Sequence, residues 1–144
     1  MQIAEILHHK GREVSKIGNL ERITNAIERL AEKHIGALVV VDRWGTLVGM
    51  FSERDVIHAL ARQGREALDC VVHEFMSQDV TTCGPEDRID DVMATMTAHR
   101  VRHLPVMENG RLVGLASIGD LVKAKLLEMK QEANILREMN LTRF

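Results

Sequence analysis

The chain has 144 residues, 45% hydrophobic and 28% charged, enough to bury a core of ordinary size in a soluble globular protein. A formal net charge of −2 and 3% aromatic content supply neither the basic excess nor the stacking surfaces of a nucleic-acid-binding domain, and no apolar run is long enough for a membrane span. The first ten residues, MQIAEILHHK, lack a basic segment followed by an apolar one, so no secretory leader is expected and a cytoplasmic location is.

Ile3, Ile6 and Leu7 form a short amphipathic lead, closed by His8-His9-Lys10-Gly11. Val14 to Ile17 is a brief extended segment and Gly18-Asn19 a turn. Ile23, Ala26, Ile27, Leu30 and Ala31 recur at helical spacing, which predicts a helix over 20–34. Gly36 breaks it, Leu38 to Val41 reads as a buried strand, Asp42-Arg43-Trp44-Gly45 as a hairpin turn and Leu47 to Phe51 as the returning strand. Ser52 then starts a helix that runs to Gln63. Cys70 and Cys83 are isolated thiols, expected to pack as small hydrophobes.

The second half repeats these elements. Val71 to Met76 echoes the lead and Val80 to Cys83 the brief strand, while Ile89, Val92, Met93 and Met96 stand 66 residues after Ile23, Ala26, Ile27 and Leu30. The offset holds through Leu104 and Val106 and falls to 65 at Leu112-Val113-Gly114, because the turn at Glu108-Asn109-Gly110 is shorter than the one at Asp42 to Gly45. Each strand-helix-strand-strand-helix unit is small for an independent core. The expectation is therefore one α/β domain with a pseudo-twofold axis and clefts between the repeats. Its divisions are a lead over 1–10, repeats over 11–69 and 70–126, and a helical extension over 127–144. In that extension Val122, Leu126, Met129, Ala133 and Leu136 alternate spacings of four and three, a coiled-coil seam that predicts a homodimer; a long helix folded back on its own domain is the alternative.

One pattern, G-x-x-S-x-x-D, occurs at Gly49 to Asp55 and again at Gly114 to Asp120. S-x-x-D by itself is a helix capping box, whose carboxylate also favours the positive end of the helix. The preceding glycine permits close backbone approach, and the passage from strand to helix turns unpaired N–H groups outward. A hydroxyl there suits a phosphate or ribose oxygen, and a carboxylate can accept two hydrogen bonds from a ribose diol. No catalytic constellation accompanies it. The predicted helix ends between His99 and His103, so they share no helical face for zinc, and any NAD would be held without a Rossmann fingerprint. An enzyme is not expected.

The repeated unit resembles the cystathionine-β-synthase (CBS) domain, and two in tandem resemble a Bateman module. The resemblance rests on His99-Arg100-Val101-Arg102-His103-Leu104-Pro105-Val106, Gly110 to Gly114 and Ser117-Ile118-Gly119-Asp120, and in the first repeat on Ile35 to Asp42 and Ser52-Glu53-Arg54-Asp55. The layout is similar to that of small stand-alone bacterial proteins. The resemblance implies a regulatory fold that binds adenosine-containing ligands (AMP, ADP, ATP, NAD(H) or S-adenosylmethionine) in the inter-repeat clefts. It places Asp55 and Asp120 on ribose hydroxyls, Ser52 and Ser117 on ribose or phosphate, and Lys16-Ile17 and Thr82-Cys83 near the adenine, with Lys16 standing where the family often has Thr.

Arg100, Arg102 and His103 precede the central strand of the second repeat, where the first has His34, Gly36 and Ala37 or their close neighbours. Cations there resemble the family's phosphate ligands, a role suited to the planar donor fork of Arg, and Arg54 is a further candidate. The copy at Ser117 and Asp120 is thus expected to be the better phosphate site. The function this implies is a non-catalytic sensor signalling energy or redox state to an effector protein. Its rivals are a scaffold with degenerate sites and a detached regulatory subunit of an enzyme resembling inosine-monophosphate dehydrogenase.

Overall fold

The computed structural model describes residues 1–141; the last three residues of the expected 127–144 extension lie outside the described residues. The apolar spacing of the lead produces α1 (Ile3–Lys10), which buries Ile3, Ile6 and Leu7 and stops at Gly11, where φ is 97°. The first repeat follows as β1 (Lys16–Gly18), α2 (Ile23–Lys33), β2 (Ala37–Val41), β3 (Leu47–Ser52) and α3 (Glu53–Gln63). The second contributes α4 (Ile89–His99), β4 (His103–Glu108), β5 (Arg111–Ser117) and α5 (Ile118–Leu141). Helix α2 buries Ile23, Ala26 and Leu30; α4 buries their counterparts Ile89, Val92 and Met96. Both helices end on a left-handed residue, His34 and Arg100.

Strand β1 pairs parallel to β2, with α2 as the crossover such pairing needs, and β2 pairs antiparallel to β3. Strands β4 and β5 form a two-stranded sheet. The one-residue slip between repeats lies in their hairpins. Asn109 and Gly110, with φ of 51° and 76°, make the tight second turn, whereas in the first the Asp42 carboxylate accepts the N–H groups of Trp44 and Thr46, each at 2.9 Å.

Two segments differ from expectation. Val80 to Cys83 forms no strand but a single parallel bridge between Cys83 and Val106, because Pro105 of β4 stands where Val39 stands in β2 and has no N–H to give Thr81 as Val39 N–H gives Ser15 O at 3.1 Å. Val71 to Met76 contains a short 3₁₀ turn (Val72–Glu74) in place of a helix like α1.

The chain divides into two compact units, neither of them a continuous stretch. A first-repeat unit comprises Glu13–Thr81 with Asn109–Leu112, and a second-repeat unit comprises Met1–Arg12, Thr82–Glu108 and the residues from Val113 on. In the second-repeat unit Ile3 N–H donates to Asp87 O at 2.9 Å, Ala4 N–H to Pro85 O at 2.8 Å and Ile89 N–H to Met1 O at 3.1 Å. The first-repeat unit makes the same set: Val72 N–H to Glu21 O at 2.8 Å, His73 N–H to Asn19 O at 2.9 Å and Ile23 N–H to Cys70 O at 2.9 Å. The two lead segments are related by an offset of 69 residues, not 66. The segment ahead of each repeat therefore completes the other one, giving otherwise open backbone groups their partners. Each unit has its own core, Leu7, Ile89, Met96, Leu104 and Leu121 in the second-repeat unit and Ile17, Ile23, Leu38, Phe51 and Val72 in the first.

Candidate functional site: two serine–aspartate corners

At the first corner β3 passes into α3 through Ser52, whose extended backbone ends the strand as its side chain meets the first turn of the helix. Ser52 N–H donates to Asp55 Oδ2 at 2.8 Å, and the Ser52 hydroxyl donates to the same oxygen at 3.2 Å. At the second corner Ser117 Oγ donates to Asp120 Oδ2 at 2.7 Å and accepts the Asp120 N–H at 3.2 Å. The capping chemistry expected of S-x-x-D is thus made at both corners. The first N–H of each helix goes to a matching residue, Glu53 N–H to Gly36 O at 3.0 Å and Ile118 N–H to Arg102 O at 2.9 Å.

Those two bonds carry the difference in charge between the copies. They seat Gly36 and Ala37 beside the first corner and Arg102 and His103 beside the second; Arg102 is exposed and His103, opening β4, is half-buried. Arg100 lies farther back, exposed at the left-handed end of α4, and Arg54 is exposed in the first turn of α3. Of the residues assigned to adenine, Lys16 and Thr82 are exposed while Ile17 and Cys83 point into the cores. Burial, helped by the nearby Asp87, pushes the Cys83 thiol up to about 11, so it stays protonated and inert at neutral pH. Helix α4 stops at His99 and β4 begins at His103, and among the described residues no group of three or more His, Cys, Asp or Glu could hold a metal ion.

The close approach permitted by each glycine is taken up by the chain itself. A Cβ on Gly49 would lie 2.7 Å from Met76 Sδ and 2.8 Å from Ser77 O, and one on Gly114 would lie 2.6 Å from Leu7 Cδ2. Leu7 and Met76 are equivalent under the 69-residue offset, so the glycine of each motif receives the lead segment of the opposite repeat.

Sequence reasoning missed Lys10. Its ammonium, at the end of α1, donates to Asp120 Oδ2 at 2.5 Å and to Leu115 O at 2.8 Å. The matching position in the first-repeat unit is Asp79, which supplies no such cation to Asp55. No periodicity or motif links residues 110 apart in this way. Beside the contact, α1 and α5 enclose a mostly apolar cavity of about 300 Å³ whose walls include Ile6, Lys10, Asp120, Lys123, Ala124 and Leu127.

The two carboxylates consequently titrate in opposite directions. Burial raises Asp55 above the ordinary 3.8, outweighing the hydrogen bonds from Ser52 and the charges of His58 and Arg54. Burial acts on Asp120 too, but the hydrogen bonds from Lys10 and Ser117 and the charge of Lys10 together overcome it and hold that carboxyl below 3.8. The stabilisation from Asp120 is present above 3.8 and is lost as pH falls through its lowered pKa; that from Asp55 is present below 3.8 and is lost as pH rises through its raised pKa. Carboxyl-detected NMR is expected to show Asp55 titrating on the alkaline side of 3.8 and Asp120 on the acid side. The reverse order would mean that Lys10 does not hold Asp120 in solution.

Comparison with known proteins gives the family and the fold. A family model for the CBS domain matches residues 21–62 and 72–127, and the chain belongs to that family. It is 42% identical to the crystal structure of a CBS-domain containing protein from Agrobacterium tumefaciens, with a TM-score of 0.84 over 86% of this chain and 92% of that one. Among curated relatives it is 32% identical over 116 residues to a mitochondrial CBS domain-containing protein of Arabidopsis thaliana, covering 78% of this chain but 56% of that protein's length. It is 28% identical over 123 residues to the human 5′-AMP-activated protein kinase subunit gamma-3, covering 81% of this chain and 25% of that subunit. The CBS domain pair of protein MJ0100, solved in complex with 5′-methylthioadenosine and S-adenosyl-L-methionine, shares the fold at a TM-score of 0.74 and 24% identity, over 90% of this chain and 98% of that one.

Proposed function

We propose that this CBS pair is a non-catalytic regulatory module of the cytoplasm, a homodimer that takes adenosine-containing ligands such as AMP, ATP or NAD(H) at its serine–aspartate corners. The observation that carries the reading is the duplicated corner, which sets a hydroxyl and a carboxylate at a helix N-terminus in each repeat. In this reading Asp55 and Asp120 hold ribose hydroxyls, Ser52 and Ser117 ribose or phosphate, and Lys16, Ile17, Thr82 and Cys83 the side nearest adenine. Arg102, His103, Arg100 and Arg54 are the phosphate partners. The relatives named for AMP activation and for adenosine ligands support the ligand class. Output follows by linkage: a ligand that prefers one conformation shifts the population toward it, by no more than its difference in affinity, and alters a surface seen by an effector protein.

A panel of AMP, ADP, ATP, NAD(H) and S-adenosylmethionine in a thermal-shift assay tests this. A ligand at 100 times its dissociation constant adds roughly 2.7 kcal/mol and raises the midpoint by several degrees. No shift with any of the five would favour a scaffold whose serines only cap helices, the second reading, which the completed capping bonds also support. Asp55→Ala and Asp120→Ala then separate the corners, and the larger loss of AMP affinity is expected with Asp120→Ala, where Lys10, Arg102 and His103 gather. Equal losses would remove the asymmetry.

A further inference from the structure

Helix α5 leaves its unit part way along. Leu121 is buried against α1 and α4, and Lys125 is tied to Asp90 at 3.0 Å, but from Met129 to Leu141 every residue is exposed. This stretch does not fold back on its own unit. It extends for about 20 Å at 1.5 Å per residue, and a free helix of that length is marginal in water. On one face it also carries Met129 and Leu136, each more than half exposed. The face needs a cover, and the charges flanking it specify which.

On the seam of Val122, Leu126, Met129, Ala133 and Leu136, the next core position is Asn140. One flank of the seam consists of Lys123, Lys130 and Arg137, all basic, and the other of Lys125, Glu132 and Met139. In an antiparallel pair of identical helices like flanks meet, so basic residues oppose basic residues in every register. In a parallel, in-register pair unlike flanks meet, Glu132 of each copy faces Arg137 of the other, and Asn140 faces Asn140, an arrangement that fixes register. The one like-charged parallel pairing, Lys125 against Lys130, is relieved because Lys125 already pairs with Asp90.

We propose that the α5 tails of two copies of this chain pair side by side in parallel along this seam. The proposal deepens the homodimer part of the proposed function and does not depend on the ligand. On a Cys70→Ser background, Asn140→Cys and Met129→Cys are each expected to form a disulfide-linked dimer with themselves under mild oxidation. Leu136→Asp is expected to weaken the dimer at least tenfold in sedimentation velocity while keeping the thermal shift with AMP. Glu132→Arg is expected to weaken it as well, and adding Arg137→Glu to restore it. A monomeric parent chain, a dimer undiminished by Leu136→Asp, or cross-linking only between the two cysteine variants when mixed would overturn the proposal. Loss of the AMP shift in the parent chain would instead count against the ligand reading and leave the dimer result standing.

Discussion

Replacing Lys10 by Met is expected to narrow the preference of the second corner for AMP over adenosine. The Lys10 ammonium now spends its charge on Asp120, which also accepts the Ser117 hydroxyl. A ribose diol arriving at Asp120 has to displace that ammonium, which then keeps only the Leu115 carbonyl as its partner and lacks a counter-charge. A phosphate on the same ligand offers it a new anion; a nucleoside does not. Charge-assisted hydrogen bonds contribute about 1.5–3 kcal/mol, so the variant is expected to lose about tenfold or more in AMP affinity. Adenosine affinity should stay level or rise, because its competitor for Asp120 is gone. Calorimetric titration of both ligands on an Asp55→Ala background, where only the second corner is read, checks this. If AMP and adenosine both bound more tightly to Lys10→Met, Lys10 would be a plain competitor and not a phosphate partner.

Gly49→Ala is expected to destabilise the fold by about 1–3 kcal/mol, and by more than Gly114→Ala does. The added methyl on residue 49 would sit against Ser77 O, a backbone atom fixed by a reciprocal pair of hydrogen bonds, Met50 N–H to Ser77 O at 3.0 Å and Ser77 N–H to Met50 O at 2.9 Å. At residue 114 the obstacle is the end of the Leu7 side chain, which can turn aside at some loss of packing. Urea denaturation of the two variants measures the difference. A larger loss for Gly114→Ala would show that docking of α1, and not the Met50–Ser77 bridge, is the stiffer of the two lead contacts.

Much of this was legible in residue spacing. Ile23, Ala26 and Leu30 announced the buried face of α2, and their echo at Ile89, Val92 and Met96 announced the duplication. The shortened hairpin at Asn109-Gly110 and the helix starts at Ser52 and Ser117 also followed from local chemistry. Periodicity tells which face of an element is buried but not against what. It marked Leu7 and Met76 as apolar without revealing that each covers the motif glycine of the opposite repeat. Nor does it register a long-range ion pair, so Lys10 reads as a closing residue of the lead although it, with Ser117, holds the Asp120 carboxyl below its ordinary value. The missing strand at Val80 to Cys83 has a readable cause in Pro105, which cannot donate the ladder hydrogen bond that Val39 supplies to β1.

The central claim is that the two serine–aspartate corners bind adenosine. Its most direct test is a calorimetric titration of AMP into the parent chain and into the Asp55→Ala/Asp120→Ala double variant, with circular dichroism confirming that both are folded. Saturable binding to the parent and none to the folded double variant is the predicted result. Undiminished binding to the double variant, or a parent that binds none of AMP, ATP, NAD(H) and S-adenosylmethionine, would contradict it.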